Sequence, residues 1–198
     1  MASPRVPQLV LASASPRRAA LLTQLRVAFV VRPTDVDEAR LPLESIDAMV
    51  RRLALAKATA AAQGESLPVL GADTAVTLDG EMLGKPADRT EGMQMLALLS
   101  ARTHDVLTAV AVVHRARVEV RVSRSRVTFR AIDAAEAGRY WDSGEARDKA
   151  GGYGIQGIGG IFAERIEGSY SGIVGLPLAE TDALLRAFGV DTWRYRRA

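Results

Sequence analysis

One short segment near the start of the chain carries side chains suited to phosphate binding. Ser13 and Ser15 follow a short apolar strand, and Pro16 opens a helix whose first turn holds Arg17 and Arg18. Arginines are unfavourable there, because a helix N-terminus carries partial positive charge. A bound anion would relieve that conflict, since free N–H groups, hydroxyls and guanidinium groups together form a phosphate site. A capped helix with two surface arginines is the competing interpretation.

Lys57 occupies an unusual position for a charged residue. It lies four residues after Leu53 on the apolar face of a predicted helix, so it either extends to the edge of that face or points into a site. Only three of the 26 basic residues are lysine, and the other 23 are arginine. A lysine at this point therefore indicates that a compact point charge is needed.

Asp73 interrupts an apolar strand, where aspartate is disfavoured. A buried carboxylate must be paired, hydrogen-bonded or coordinated to metal. Asp73 is therefore a candidate metal ligand or general base, and a structural aspartate bonded to a turn is the alternative. The nearby Gly71 would allow close approach of a ligand or of another stretch of backbone.

Three further segments give weaker signals. Pro86 restricts Lys85 to an extended backbone and so aims its side chain. A glycine-rich stretch over residues 148–157 could line a ligand with its backbone N–H groups. Within it, the amide of Gln156 could pair with the edge of a base. The stretch lacks the ending of a Walker A loop, and a loop without a ligand is the alternative. Glu38 belongs to an acidic pair that could attract a divalent cation or simply face solvent.

These residues must be positioned by alternating strands and helices. The pattern predicts strands at 8–13, 27–31, 68–78, 161–166 and 170–174, and a long hairpin of strands at 103–113 and 118–130. It predicts helices at 16–25, 45–63, 87–100, 133–141 and 177–188. Asp79-Gly80 is a hairpin-turn signal. The order predicts an α/β protein with a mixed sheet, and His104 and His114 are expected at the surface or in the hairpin.

Composition excludes several classes of protein. Hydrophobic residues make up 48% and charged residues 25%, which is typical of a globular protein and excludes general disorder. Without cysteine there is no disulfide scaffold, thiol nucleophile or cysteine-bound metal. The pI near 9.6 suggests nucleic acid, but a net charge of +3 and dispersed arginines argue against it. No apolar run suits a signal peptide or membrane span, so a cytoplasmic protein is expected.

Eight segments in order resemble one family. They are LASASPRR, DVDE, LALAKA, LGADTAV, GKP, THDVLTAVAV, DKAGGYGIQG and GSYSGIVGLPLAET, and they span about residues 9–188. Together they are similar to the Maf family of nucleoside triphosphate pyrophosphatases. The SPRR, ADT and YGIQG variants resemble the subfamily that acts on dTTP and UTP, rather than the one that acts on 7-methyl-GTP.

The resemblance implies an α/β fold with a mixed twisted sheet, flanking helices and two lobes around a deep groove, related to inosine triphosphate pyrophosphatases. It implies one Maf-like domain over residues 1–198, with its core at 9–188 and with 1–7 and 194–198 frayed. It also implies a divalent metal, Mg²⁺ or Mn²⁺, and cleavage between the α- and β-phosphates of dTTP and UTP, with modified pyrimidine triphosphates as a further option. A homodimer is a family-level expectation, and no nucleic acid or membrane partner is expected.

The family pattern also implies roles for single residues. Asp73 would accept the proton, with Lys57 and Lys85 as further catalytic groups, and Asp73 and Glu38 would hold the metal. The substrate would be bound by Ser13, Ser15, Arg17, Arg18, Thr74 and Gln156, of which Arg17, Thr74 and Gln156 would set the specificity. These assignments fit a triphosphate, which needs several cations around it. The alternatives are a non-catalytic nucleotide-binding regulator of septum formation and cell division, and a nucleic-acid-binding protein.

Overall fold

The computed structural model describes residues 6–194 and has a seven-stranded mixed sheet with flanking helices. The strands are β1 (Leu9–Leu11), β2 (Phe29–Val31), β3 (Val69–Leu78), β4 (Glu81–Leu83), β5 (Thr103–His114), β6 (Arg117–Phe129) and β7 (Ala163–Glu167). The α-helices are α1 (Pro16–Gln24), α2 (Ile46–Ala61), α3 (Arg89–Leu99), α4 (Ala134–Asp142), α5 (Tyr170–Val174) and α6 (Leu178–Ala187). The predicted α/β class with a mixed sheet is confirmed.

The strand order is β2-β1-β3-β5-β6-β7, and β4 pairs with β3. β1 runs parallel to β2, with Leu9 opposite Phe29, and parallel to β3, with Val10 opposite Val69. β4 is antiparallel to β3, and β7 is antiparallel to β6. The parallel pairs near the chain start follow from the early β–α alternation. Of these two antiparallel pairs, β3 and β4 form a tight hairpin, whereas the connection from β6 to β7 contains α4.

The chain divides into two compact units. The first contains residues up to Asp73, Thr108–Ser123 and the residues from Gly175 onward; the second contains Thr74–Leu107 and Arg124–Val174. In the first unit the fully buried side chains include Leu22, Leu70 and Leu184. The second unit has its own core around Phe129 and Phe162. Two predictions stay predictions: the groove between two lobes and the single domain over residues 1–198. Of the predicted frayed ends, residues 1–5 and 195–198 lie outside the described residues.

Capping and turn chemistry explain the element boundaries. The hydroxyl of Ser15 accepts the Arg18 N–H and caps α1, and Ser45 caps α2 in the same way. Asp79 and Gly80 both have positive φ, at 52° and 85°, as a two-residue hairpin turn of type I′ requires. These boundaries are confirmed as the sequence predicts them.

Two sequence predictions are wrong. The segment 170–174 is the short helix α5 rather than a strand, because the Ser169 hydroxyl accepts the Gly172 N–H at 3.0 Å and starts a helical turn. His104 lies on a strand of the predicted hairpin, one of its two expected places, but it is not a surface residue: it is 2% exposed, and its Nε2 lies 2.8 Å from the Tyr153 hydroxyl. It points inward because it shares a face of β5 with the buried Val106.

Candidate active site

The start of α1 places three of the predicted phosphate-binding side chains together. The Ser13 hydroxyl accepts the Ser15 N–H at 3.2 Å and Nη1 of Arg18 at 3.3 Å. Nε of Arg18 donates to the carbonyl of Gly175 at 2.9 Å. The serine oxygens act as acceptors in these contacts, so their O–H groups can donate to an anion. Arg17 is half-buried in the same turn.

Arg18 is held more firmly than a surface arginine. Its guanidinium bridges the turn before α1 to the backbone at Gly175, a contact that the sequence analysis did not anticipate. Burial lowers the pKa of Arg18, and the nearby Asp73 carboxylate opposes that effect. The group stays charged at neutral pH, since guanidinium pKa values lie far above it. A fixed cation beside the hydroxyls favours the phosphate-site interpretation over a solvated arginine.

Gly71 explains how α2 and β3 come close enough to bring Lys57 and Asp73 together. A Cβ atom on Gly71 would lie 2.3 Å from the Ala54 carbonyl oxygen and 2.7 Å from the Ala58 nitrogen, so only glycine fits. Side chains two residues apart on a strand share a face, and Asp73 therefore faces α2 as Gly71 does. Close approach to another stretch of backbone, one of the two predicted roles of Gly71, is confirmed.

Lys57, Asp73 and Glu38 form a charge cluster. The Lys57 ammonium donates to Oδ1 of Asp73 at 2.7 Å and lies 2.5 Å from Oε1 of Glu38. The side chains of Lys57 and Asp73 are only 10% and 11% exposed, whereas that of Glu38 is 57% exposed. Lys57 thus points into the cluster rather than out to solvent. A buried pair with one solvated carboxylate at its edge is an arrangement that a charged ligand can enter.

The pKa of Asp73 is raised above its ordinary value. Burial is the largest cause, and the Glu38 carboxylate adds to it, while the charges of Lys57 and Arg18 and the Lys57 hydrogen bond oppose it. A carboxylate whose proton affinity is increased by burial, and which stays paired with an ammonium, suits general-base chemistry. This property agrees with the predicted role of Asp73.

The predicted metal ligands lie together but form a small donor set. Asp73 and Glu38 contact the same ammonium nitrogen. Among residues 6–194 no group of three or more histidine, cysteine, aspartate or glutamate side chains could hold a metal ion. Mg²⁺ is commonly held by one or two carboxylates together with substrate phosphates and water. Two hard carboxylates fit the smaller protein donor set of such a site, and the metal itself stays a prediction.

Thr74, Lys85 and Gln156 belong to the second unit. Thr74 follows Asp73 along β3 and is half-buried, whereas Lys85 and Gln156 are exposed. The Gly84 carbonyl next to Lys85 accepts the Gly151 N–H at 2.9 Å, which joins two of the sequence motifs within this unit. The participation of these three residues in the site stays a prediction.

Glycine N–H groups of the glycine-rich stretch are not left for a ligand. Those of Gly151, Gly152, Gly154 and Gly157 bond within the protein, so the predicted ligand lining is wrong for these positions. Glu145 was not predicted as a functional residue, although its carboxylate accepts the N–H groups of Ile158 and Gly159 directly after this stretch. The glycine spacing was the available signal, because glycine also marks close contact with a side chain.

Comparisons with known proteins agree with the motif order. Residues 8–188 match the family model described as Maf-like protein. The "dTTP/UTP pyrophosphatase" of Hahella chejuensis is 50% identical over 190 residues, covering 94% of both chains. The protein of the same name from Methylobacillus flagellatus is 51% identical over 186 residues, covering 92% of this chain and 94% of the relative.

Among solved structures, a HAM1 protein from Coxiella burnetii is 21% identical with a TM-score of 0.46, covering 63% of this chain and 73% of that chain. None of the helices in the part of the chain that the structure describes has the length and apolar character that a membrane crossing needs. The family model and the relatives at about 50% identity both cover nearly the whole chain. The protein therefore belongs to the Maf family.

Proposed function

We propose that this chain hydrolyses dTTP and UTP to the nucleoside monophosphate and pyrophosphate. Family membership and the name shared by relatives at about 50% identity support an enzyme of this class. The observation that carries the chemistry is the buried Lys57–Asp73 pair beside the Arg18 and Ser13 cluster. A non-catalytic regulator of septum formation is not favoured, because relatives across nearly the whole chain carry the name of an enzyme.

The site residues divide into binding and reacting groups. We assign the phosphates to the Ser13 and Ser15 hydroxyls and the Arg17 and Arg18 guanidinium groups, which offer donors of fixed direction. Lys57 then stabilises charge that develops on the phosphoryl oxygens as water attacks the α-phosphorus. We assign the same task to Lys85. Charge stabilisation of this kind carries most of the catalysis in phosphoryl transfer.

Asp73 takes the proton of the attacking water in this proposal. Its Oδ1 is bound by Lys57, so we assign proton acceptance to Oδ2. One water is consumed: its oxygen joins the α-phosphorus, the bond from that phosphorus to the bridging oxygen breaks, and pyrophosphate leaves. Asp73 and Glu38 would hold Mg²⁺ or Mn²⁺, which supplies Lewis-acid stabilisation of the phosphate oxygens.

Base selection is assigned to Arg17, Thr74 and Gln156. Thymine and uracil share the O2, N3–H and O4 edge, and a glutamine amide can donate to one of these groups and accept from another. A base without that pattern would leave the amide unpaired, which gives strong discrimination. Modified pyrimidine triphosphates that keep the edge remain candidate substrates. A cytoplasmic location, a homodimer and the lack of a nucleic-acid partner are carried forward as predictions.

A nucleotide panel tests the proposal. Purified protein with Mg²⁺ or Mn²⁺ should release pyrophosphate, not orthophosphate, from dTTP and UTP, and much less from dCTP and dGTP. Asp73→Asn should lower turnover by about 10²-fold or more, the scale of a lost acid–base group. Asp47→Asn is the matched control, since Asp47 is an aspartate that pairs with Arg51 at the surface of α2. Equal turnover of all four nucleotides would reject the specificity, and an active Asp73→Asn variant would reject the role of Asp73.

A further inference from the structure

Gln156 is carried at the tip of a tight turn in the second unit. The Gly157 N–H donates to the Gly154 carbonyl at 3.2 Å, so Ile155 and Gln156 are the central residues of a β-turn. Gln156 is exposed there. The direction in which its side chain leaves the backbone therefore depends on how the two ends of the turn are held.

Two side chains hold those ends. Before the tip, the Gly154 N–H donates to the Tyr140 hydroxyl at 2.9 Å. After the tip, the Ile158 N–H donates to Oε2 of Glu145 at 2.8 Å, and the Gly159 N–H donates to Oε1 at 2.9 Å. One carboxylate and one hydroxyl thus bind three backbone N–H groups, one before the tip of the turn and two after it.

The two anchoring side chains are themselves connected. The Tyr140 hydroxyl donates to Oε1 of Glu145 at 2.9 Å, and Lys149 donates to the Glu145 carbonyl at 2.6 Å. Burial opposes ionisation of Glu145, but the N–H groups of Gly159 and Ile158, the Tyr140 hydroxyl and the Lys149 charge together lower its pKa. The carboxylate is therefore charged at neutral pH, and its hydrogen bonds to the turn are charge-assisted.

The glycines of this turn fit the anchoring side chains closely. A Cβ atom on Gly157 would lie 2.0 Å from Oε2 of Glu145, and one on Gly159 would lie 2.7 Å from the Tyr140 hydroxyl. A Cβ atom on Gly154 would lie 2.9 Å from Oε1 of Glu145. The glycine pattern is thus explained by contact with Glu145 and Tyr140.

We propose that Glu145 and Tyr140 are positioning residues for base selection, which hold the 154–159 turn so that the Gln156 side chain leaves the backbone in one direction. The inference rests on the proposed function, in which Gln156 reads the pyrimidine edge. A side chain on a fixed turn loses less freedom on binding than one on a mobile turn, and it also rejects a mismatched base more strictly. Glu145 and Tyr140 act through Gln156.

Glu145→Gln tests the inference, because its amide NH₂ would face an N–H group of the turn in place of an acceptor. We expect about a tenfold rise in KM for dTTP and about a tenfold loss in the preference for dTTP over dCTP. The kcat for dTTP should stay within about threefold, since a base contact contributes equally before and during the reaction. Glu91→Gln is the matched control: Glu91 accepts the Ala87 N–H at 2.7 Å, whereas the N–H groups that anchor the turn bond to Tyr140 and Glu145, so its variant should keep wild-type selectivity.

A double-mutant cycle separates positioning from general damage to the fold. If Glu145 acts through Gln156, Glu145→Gln should cost no further selectivity once Gln156→Ala is present. Glu145→Asp, which keeps the charge, should retain more selectivity than Glu145→Gln. Tyr140→Phe tests the other end of the turn and should speed hydrogen exchange of the Gly154 amide, an independent readout should Glu145→Gln not fold.

The outcomes distinguish the two proposals. Wild-type protein that releases no pyrophosphate from dTTP or UTP overturns the proposed function and this inference with it. A selective wild-type enzyme whose folded Glu145→Gln and Tyr140→Phe variants keep that selectivity overturns the inference alone. Additive losses in the cycle with Gln156→Ala also overturn it.

Discussion

Replacing Lys57 by methionine tests the charge cluster most sharply. Methionine keeps the length and helix preference of lysine but removes the ammonium. In the protein that ammonium contacts Asp73 at 2.7 Å and Glu38 at 2.5 Å. The substitution therefore leaves one buried carboxylate, Asp73, without its direct partner, while the largely exposed Glu38 can turn to solvent.

The expected cost follows from that geometry. Removing one partner of a buried pair destabilises a protein by about 3–5 kcal/mol, and we expect the lower end, about 3 kcal/mol, because Arg18 still lies near Asp73. Loss of one group that stabilises developing charge should lower kcat by about 10²-fold or more. Since Lys57 lowers the pKa of Asp73 against burial, its removal should raise that pKa and move the acid limb of the pH–rate profile to higher pH.

The assay combines urea unfolding with pyrophosphate release across pH. Arg51→Met on the same helix is the control, since Arg51 pairs with Asp47 at the surface and its loss should leave both measurements near wild type. A Lys57→Met enzyme with wild-type turnover and an unmoved acid limb would refute the reasoning, because it would mean that Lys57 merely fills space on α2.

Two further predictions concern stability. Burial lowers the pKa of His104 to about 4, so between pH 6.5 and 4 the unfolded chain binds a proton that the folded protein excludes. The free energy of unfolding should therefore decrease as the pH is lowered, by about 2 kcal/mol between pH 7.5 and pH 5 in urea unfolding. A His104→Gln variant with an equally steep pH dependence would contradict this. Gly71→Ala should cost about 3 kcal/mol in the same assay, since its Cβ meets the Ala54 carbonyl oxygen, whereas Gly84→Ala, with open space around it, should be nearly neutral. Equal unfolding midpoints for the two alanine variants would count against the packing of α2 on β3.

Local signals predicted most of the fold. Ser15 and Ser45 mark helix starts because a side-chain oxygen before an apolar periodic run caps free N–H groups, and the structure has both caps. At Tyr170–Val174 the apolar residues favoured a strand, and the same capping signal, here from Ser169, was overlooked. The Ser169 hydroxyl starts a helical turn. His104 was misjudged because its polarity outweighed its place on the buried face of β5.

The site could be predicted only in part. Lys57 and Asp73 each stood out as charges among apolar neighbours, but their contact depends on Gly71 admitting α2, which spacing along the chain does not reveal. Glu145 itself did not stand out, since a glutamate in a polar stretch is ordinary, and only the spacing of the glycines that contact it could have indicated a close side chain. Its role is visible only once the 154–159 turn is seen to fold around its carboxylate.

The most direct test of the central claim is the fate of solvent oxygen during turnover of dTTP in oxygen-18 water. Attack of water on the α-phosphorus, with Asp73 accepting the proton, places the label in the nucleoside monophosphate and leaves the pyrophosphate unlabelled. Label in the pyrophosphate, or release of orthophosphate as the first product, would contradict the account.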